Sequence, residues 1–287
     1  MTNDVPVLHM AAFAAVPRGG NPAGVVPDAS GLTDAQMQQI AADLGYPESA
    51  FVVEPAIGGD SRHLRMRYFS PGAEVPFCGH ATIATAVLLA GGQGAGDFLF
   101  ETMVGPVVIS TEDAGGTVLA SFTSVRPDIR DLTDDVRATL LGLLGLAETD
   151  LDERLPLQES FAGNWHPIVA VRDRQVFDSF TFDPAAVRRL MDRQQWTGTV
   201  TVVHALSDAF DEFEARNLFP VGDITEDPAT GSAAASLGAY LRAIGAVIAP
   251  AHVTIHQGRH VGRPSILQVD IPAEGGITVT GTATGLR

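Results

Sequence analysis

Two alanine-rich apolar stretches limit what this chain can fold into. Ala81 to Ala90 follows Cys78-Gly79-His80, and Ala233 to Ala243 follows Thr230-Gly231-Ser232. Alanine and leucine are strong helix formers, so both stretches are expected to be helices. With few charges, neither helix has a polar face to turn toward water, and each must be buried nearly all round. Most of the remaining chain reads as strands, so a sheet is expected to wrap each helix. Two such units imply pseudo-symmetric half-domains.

The surrounding pattern fits. Strands are expected over 5–16, 23–26, 48–53, 64–69, 98–102, 106–111, 117–123, 167–172, 199–205, 252–257, 265–271 and 276–282, from alternating or continuous apolar runs bounded by turn residues. Thr33-Asp34-Ala35-Gln36 is a capping-box signature opening a helix through Leu44, with Gly45 as its natural C′ residue. Amphipathic helices are expected at 132–145 and 184–193. Strands dominate without alternating regularly with helices, which makes the class α+β rather than doubly wound. The boundary candidates are Thr123 to Pro127 and the turn from Pro272 to Gly276. They give an N-terminal half over 1–125, completed by a last strand at about 276–287, and a C-terminal half over 126–275.

Charge and composition exclude several function classes. With 18 basic and 34 acidic residues the formal charge is −16, which repels nucleic acid and anionic lipid, so neither is an expected partner. The single cysteine, Cys78, excludes an intramolecular disulfide and any multi-thiolate metal site. The start, MTNDVPVLHM, has no basic segment followed by an apolar core of secretory length. The longest apolar stretch reaches about half of what spanning a bilayer requires. A cytoplasmic, reduced protein is expected. The histidines show no metal-ligand spacing, and no phosphate-binding loop or dinucleotide fingerprint is present, so neither metal nor cofactor is expected.

A few residues are placed to do chemistry. Gly79-His80 and Gly231-Ser232 each begin a helix, where unpaired N–H groups and the positive end of the helix dipole favour a carboxylate. The same glycines also suit tight turns and close packing. Glu48 follows Pro47 and precedes Ala50-Phe51-Val52-Val53. Desolvation there would raise its pKa and suit it to take up and return a proton near neutral pH, although many glutamates at strand ends are simply solvated. Asp227, ahead of Pro228, reads as a turn or N-cap residue or as an acceptor for a substrate amine or hydroxyl. Cys78 and His80 stand two apart, a spacing that seldom aims two side chains at each other, so Cys78 is expected to pack as a small hydrophobe.

Together the motifs resemble a known family. Gly20-Asn21-Pro22-Ala23-Gly24-Val25, Glu48-Ser49-Ala50-Phe51-Val52, Tyr68-Phe69-Ser70-Pro71 and Glu74-Val75-Pro76-Phe77-Cys78-Gly79-His80-Ala81-Thr82 resemble the N-terminal half of PhzF-like phenazine-biosynthesis proteins. Glu226-Asp227-Pro228-Ala229-Thr230-Gly231-Ser232-Ala233 and Gln257-Gly258 with Gly262-Arg263-Pro264-Ser265 resemble its C-terminal half. The resemblance implies a diaminopimelate epimerase-like fold, a homodimer, and a cofactor-free active site in the cleft between the halves. It also implies isomerisation of a small carboxylate of the trans-2,3-dihydro-3-hydroxyanthranilate type. Carried over by motif, Glu48 would move the proton. His80 and Asp227 would hold the substrate's amino group or assist, and Gly79, Gly231 and Ser232 would bind its carboxylate. Leu218, where the family usually shows Phe, and Asp223 to Thr225 depart from the pattern near the expected cleft and leave the substrate open. The alternatives are a racemase or epimerase of a small amino or hydroxy acid, disfavoured because its two-thiol chemistry needs a second cysteine, and a non-catalytic ligand-binding member of the family. A hydrolase using Cys78 is a third.

Overall fold

The computed structural model describes residues 5–221 and 224–286. In chain order the strands and helices are β1 (Leu8–Ala12), β2 (Asn21–Val26), α1 (Asp34–Leu44), β3 (Glu48–Glu54), β4 (His63–Phe69), β5 (Glu74–Val75), α2 (Gly79–Gln93), β6 (Gly96–Thr102), β7 (Gly105–Asp113) and β8 (Val118–Thr123). There follow β9 (Asp128–Asp131), α3 (Asp134–Leu144), β10 (Gln158–Phe161), β11 (Trp165–Ala170), α4 (Arg174–Ser179), α5 (Pro184–Gln194), β12 (Val200–Ala205), β13 (Glu212–Val221) and β14 (Ile224–Asp227). The chain closes with α6 (Gly231–Ala243), β15 (Ala251–Gln257), β16 (Ser265–Ile271), β17 (Thr278–Gly281) and β18 (Ala283–Gly285). Internal contacts divide it into two compact units, Met1–Thr123 with Thr280–Arg287, and Ser124–Val279.

In the first unit the strands run in the order β18, β1, β2, β3, β4, β6, β7, β8. Two neighbouring pairs are parallel, β2 with β3 and β4 with β6. A parallel pair needs a crossover, and the helices supply it: α1 joins the first pair, β5 and α2 the second. The α1 boundaries follow from local chemistry. Thr33 and Gln36 form the reciprocal capping box, and Gly45 ends the helix at φ 63°. Helix α2 touches β1, β2, β3, β7, β8 and β18, so the sheet does wrap it. Every residue from His80 to Val87 is buried. Its two threonines are satisfied: Thr85 donates to the Ala81 carbonyl at 2.8 Å, and Thr82 bonds the Tyr68 hydroxyl at 2.7 Å. Removing Ile83 from water contributes roughly 2–3 kcal/mol.

The second unit repeats the plan. Its strands run β9, β10, β11, β12, β13, β15, β16. Again two pairs are parallel, β11 with β12 through α4 and α5, and β13 with β15 through β14 and α6. Helix α6 touches β9, β10, β11 and β16, and is buried from Ala233 to Leu241. Gly238 is needed there, because a Cβ would sit 2.9 Å from Val269 and 3.0 Å from Ile277 side-chain carbons. On the outer face α3, α4 and α5 cover a cluster that includes Leu141, Phe177, Leu190, Val200 and Leu218.

The first strand is shorter than its apolar run. Phe13 turns to φ 62°, its N–H donates to the Thr282 carbonyl at 2.7 Å, and its ring packs where a Cβ on Gly281 would lie 2.2 Å away. The short elements β9, β10, β14, β18 and α4 show too little periodicity to be read from the sequence.

Candidate active site

Each buried helix opens on a cluster of polar side chains, and the two clusters differ. In the first unit β3 begins at Glu48, α2 begins at Gly79, and the strand β2 begins at Asn21. These three starts converge. Glu48 Oε2 lies 3.8 Å from His80 Nε2 and 3.7 Å from Cys78 Sγ, and Sγ is 3.3 Å from His80 Nδ1. Asn21 Nδ2 holds Nδ1 at 3.2 Å. The His80 ring is buried, and burial pushes its pKa down to about 4, so the imidazole is neutral at physiological pH. The Glu48 side chain stays 19% exposed, enough to reach a ligand.

The structure thus brings Glu48, Gly79 and His80 together, and it corrects the expectation for Cys78. Sulfur and imidazole do meet across the i, i+2 spacing. Cys78 is the N-cap in extended conformation (φ −141°, ψ 112°), while His80 is already helical. Residues two apart share a face along a strand, and the extended Cys78 carries that relation into the first turn of the helix. Cys78 is buried, at 7% exposure, yet its contacts are a carboxylate and an imidazole rather than apolar packing alone.

In the second unit the counterpart of Cys78 is Thr230, the N-cap of α6. Its hydroxyl donates to Asp227 Oδ2 at 2.5 Å. Gln257 clamps the same loop, donating from Nε2 to the Asp227 carbonyl at 2.6 Å and accepting from Thr230 N–H at 3.2 Å. Gly258, at φ 81°, passes so close that a Cβ would stand 2.5 Å from the Pro228 carbonyl oxygen. Asp227 ends β14, opposite Asn217 of β13, and is not the cap residue.

Ser232, in the first turn of α6, rests on a group that the sequence reading missed. His166 of β11 is fully buried, and burial holds its pKa down to about 4. Nδ1 faces the Thr199 N–H at 3.0 Å, its hydroxyl at 3.0 Å and its carbonyl at 3.1 Å, and Nε2 faces Ser232 Oγ at 3.1 Å. In the tautomer in which Nδ1 accepts from the Thr199 N–H, Nε2 donates to Ser232 Oγ. Behind the ring, Thr199 and Thr201 hydroxyls donate to Asn217 Oδ1 at 2.6 and 2.8 Å. Gly198 leaves room for the imidazole, since its Cβ would fall 2.4 Å from His166 Cε1. The only sequence signal was a histidine inside an otherwise apolar strand.

Leu218 is completely buried in the apolar cluster of the second unit. That departure from the family pattern bears on core packing and not on a ligand-facing position. Asp223 lies outside the described residues. Among those described, no helix is long and apolar enough to cross a membrane.

Comparison with known proteins points to one family. The model of the phenazine biosynthesis-like protein family, PhzC-PhzF, matches residues 10–287. An uncharacterized isomerase of Deinococcus radiodurans is 34% identical, the match covering 93% of this chain and 87% of the relative. The trans-2,3-dihydro-3-hydroxyanthranilate isomerase of Pseudomonas fluorescens is 32% identical, over 89% of this chain and 86% of that protein. The solved structure of a predicted epimerase from Pseudomonas aeruginosa superposes with a TM-score of 0.82 at 27% identity, covering 98% of this chain and 96% of the other. The fold is therefore diaminopimelate epimerase-like, and the chain belongs to the PhzF-like phenazine-biosynthesis family as one of its isomerases.

Proposed function

We propose that this isomerase moves a proton on a small carboxylate-bearing carbon acid, of the trans-2,3-dihydro-3-hydroxyanthranilate type, without a cofactor. Glu48 takes the proton from one carbon and returns it to another. The observation that carries this reading is the position of Glu48 Oε2 against a neutral, buried His80 at a helix start. A neutral imidazole donates or accepts a hydrogen bond without pinning Glu48 as a permanent ion-pair partner, so the carboxylate can change its protonation state during turnover. Asp227 accepts a hydrogen bond from the substrate's amino group, with His80 assisting. The backbone N–H groups at Gly79 and Gly231, and the Ser232 hydroxyl aimed by His166, bind the substrate's carboxylate. A homodimer is part of the proposal, and sedimentation velocity checks it.

The two-thiol racemase reading is disfavoured by the second helix start, where Thr230 occupies the position that Cys78 holds in the first. To test the proposal, trans-2,3-dihydro-3-hydroxyanthranilate and a panel of β,γ-unsaturated amino and hydroxy acids are incubated with the protein, and NMR follows double-bond migration. Migration in wild type that vanishes in Glu48→Gln supports the proposal. Migration unchanged by that substitution contradicts it.

A further inference from the structure

In the second unit the corner formed by β9, β10 and β11 has two different faces. Side chains alternate between the faces of a strand. Ser160 of β10 donates to the Ser236 carbonyl of α6 at 2.7 Å, and His166 of β11 meets Ser232, so both point inward to the helix. Phe161 and Trp165, their immediate neighbours on the two strands, therefore point outward. They stand opposite each other across the β10–β11 pair, and Phe161 stands opposite Asp128 of β9 on its other side. Asp128, Phe161 and Trp165 thus form one outward row across three strands.

A cavity of about 450 Å³ opens on this row, lined by Arg126, Pro127, Asp128, Phe161 and Trp165. That volume lies within the roughly 300–1,000 Å³ of small-molecule sites, which combine apolar and aromatic walls with a few placed polar groups. The Phe161 and Trp165 ring centroids are 5.4 Å apart and the planes are tilted by 44°. Arg130, the next outward residue of β9, is already committed. Its guanidinium stacks 3.9 Å from the Trp165 ring centroid and pairs with the buried Glu159 at 2.5 Å. The charged groups that line the cavity are one guanidinium, Arg126, and one carboxylate, Asp128.

We propose that this cavity binds a small zwitterion with an aromatic ring, the class of the aromatic α-amino acids, on the face of β11 opposite His166 and Ser232. The ligand's carboxylate pairs with the Arg126 fork, its ammonium pairs with Asp128, and its ring packs against Phe161 and Trp165. The lining selects this class. An aromatic acid without an amine gains nothing from Asp128, and an aliphatic amino acid gains nothing from the two rings. A phosphorylated ligand brings its charge against the Asp128 carboxylate. A second cavity, of about 330 Å³ beside α3 and α4, has a single charged side chain, Asp150, and no ring pair, and so lacks this complementarity.

The test uses the full chain and L-phenylalanine, with phenylacetate and L-alanine for comparison. Calorimetry reads affinity. Tryptophan fluorescence, excited where phenylalanine does not absorb, reads the site through Trp165, because the other tryptophan, Trp196, is buried in the core. The expected result is one saturable site per chain at millimolar or lower concentration, and binding weaker by about tenfold or more for phenylacetate and for L-alanine. Arg126→Ala weakens L-phenylalanine and phenylacetate alike by about tenfold or more, and Asp128→Asn weakens L-phenylalanine alone. Phe161→Leu weakens every aromatic ligand, and each variant is first shown to melt as wild type does. Absence of any saturable heat or fluorescence change in wild type overturns the proposal. So does L-phenylalanine affinity unchanged in either Arg126→Ala or Asp128→Asn. Binding lost in Ser232→Ala and kept in Arg126→Ala also overturns it, because that result places the ligand at the start of α6.

Discussion

The two helix starts are built on the same scaffold and equipped differently. At α2 the cap residue is a cysteine, the next side chain a histidine, and a carboxylate from β3 stands beside both. At α6 the cap is a threonine bonded to the Asp227 carboxylate, the next side chain a serine, and the neighbours are amides, hydroxyls and a buried histidine. The first cluster gathers a carboxylate, a thiol and an imidazole against one another. The second relies more on amides and hydroxyls that orient its carboxylate and imidazole. A duplicated architecture can thus hold unequal halves, because the difference rests on a few side chains and not on topology.

The sharpest way to break this contrast is to exchange function between the halves. Glu48→Gln should lower turnover on the order of 10²–10⁴-fold with little change in KM. Ser232→Ala should instead raise KM by about 10-fold to 100-fold, the loss of one hydrogen bond to a charged group, and leave kcat within a few-fold. Steady-state kinetics on the substrate found by NMR separates the two patterns. If both variants lose kcat alike, the division of labour is wrong. His166→Phe keeps the ring volume and removes the donor to Ser232, so a smaller rise in KM is expected. Combined with Ser232→Ala it should add nothing further, because both remove one link.

The pH dependence of stability sharpens the comparison from another side. Both buried imidazoles titrate near pH 4 in the fold and near 6.5 when unfolded. Between those values the unfolded chain binds more protons, so stability is full above about pH 6.5 and falls as pH drops toward 4. Each histidine contributes on the order of 3 kcal/mol to that fall. Trp165 and Trp196 are the chain's two tryptophans, and both belong to the second unit, so urea melts followed by fluorescence report it selectively. His166→Phe should flatten the fluorescence-detected slope, and His80→Asn should leave it largely unchanged.

The smallest effect concerns packing. Position 238 of α6 is glycine where the equivalent turn of α2 carries Ala86. Gly238→Ala should destabilise the second unit by about 1–3 kcal/mol through overpacking against Val269 and Ile277. Ala86→Gly should cost the first unit about 1 kcal/mol in helix propensity. Urea midpoints measure both.

Much of this architecture was legible in the sequence because the signals are local. The capping box at Thr33 and Gln36, the stop at Gly45 and the charge-poor stretches after Gly79 and Gly231 each depend on residues within a turn or two of one another. The site was legible only as far as its motifs run along the chain. His166 carries no local signal, since its role depends on Thr199, Asn217 and Ser232, which meet only in the folded sheet. The contact between Cys78 and His80 was misjudged from spacing, because the extended cap residue keeps the strand relation, in which residues two apart share a face, at the start of the helix.

Proton–deuterium exchange tests the central claim most directly. Substrate is incubated in D2O with wild type, Glu48→Gln and Cys78→Ala, in chelator-treated buffer, and NMR follows label at carbon. Glu48 as the proton carrier predicts uptake in wild type and Cys78→Ala and none in Glu48→Gln. Uptake that survives Glu48→Gln and disappears in Cys78→Ala would contradict it and assign the chemistry to the thiol.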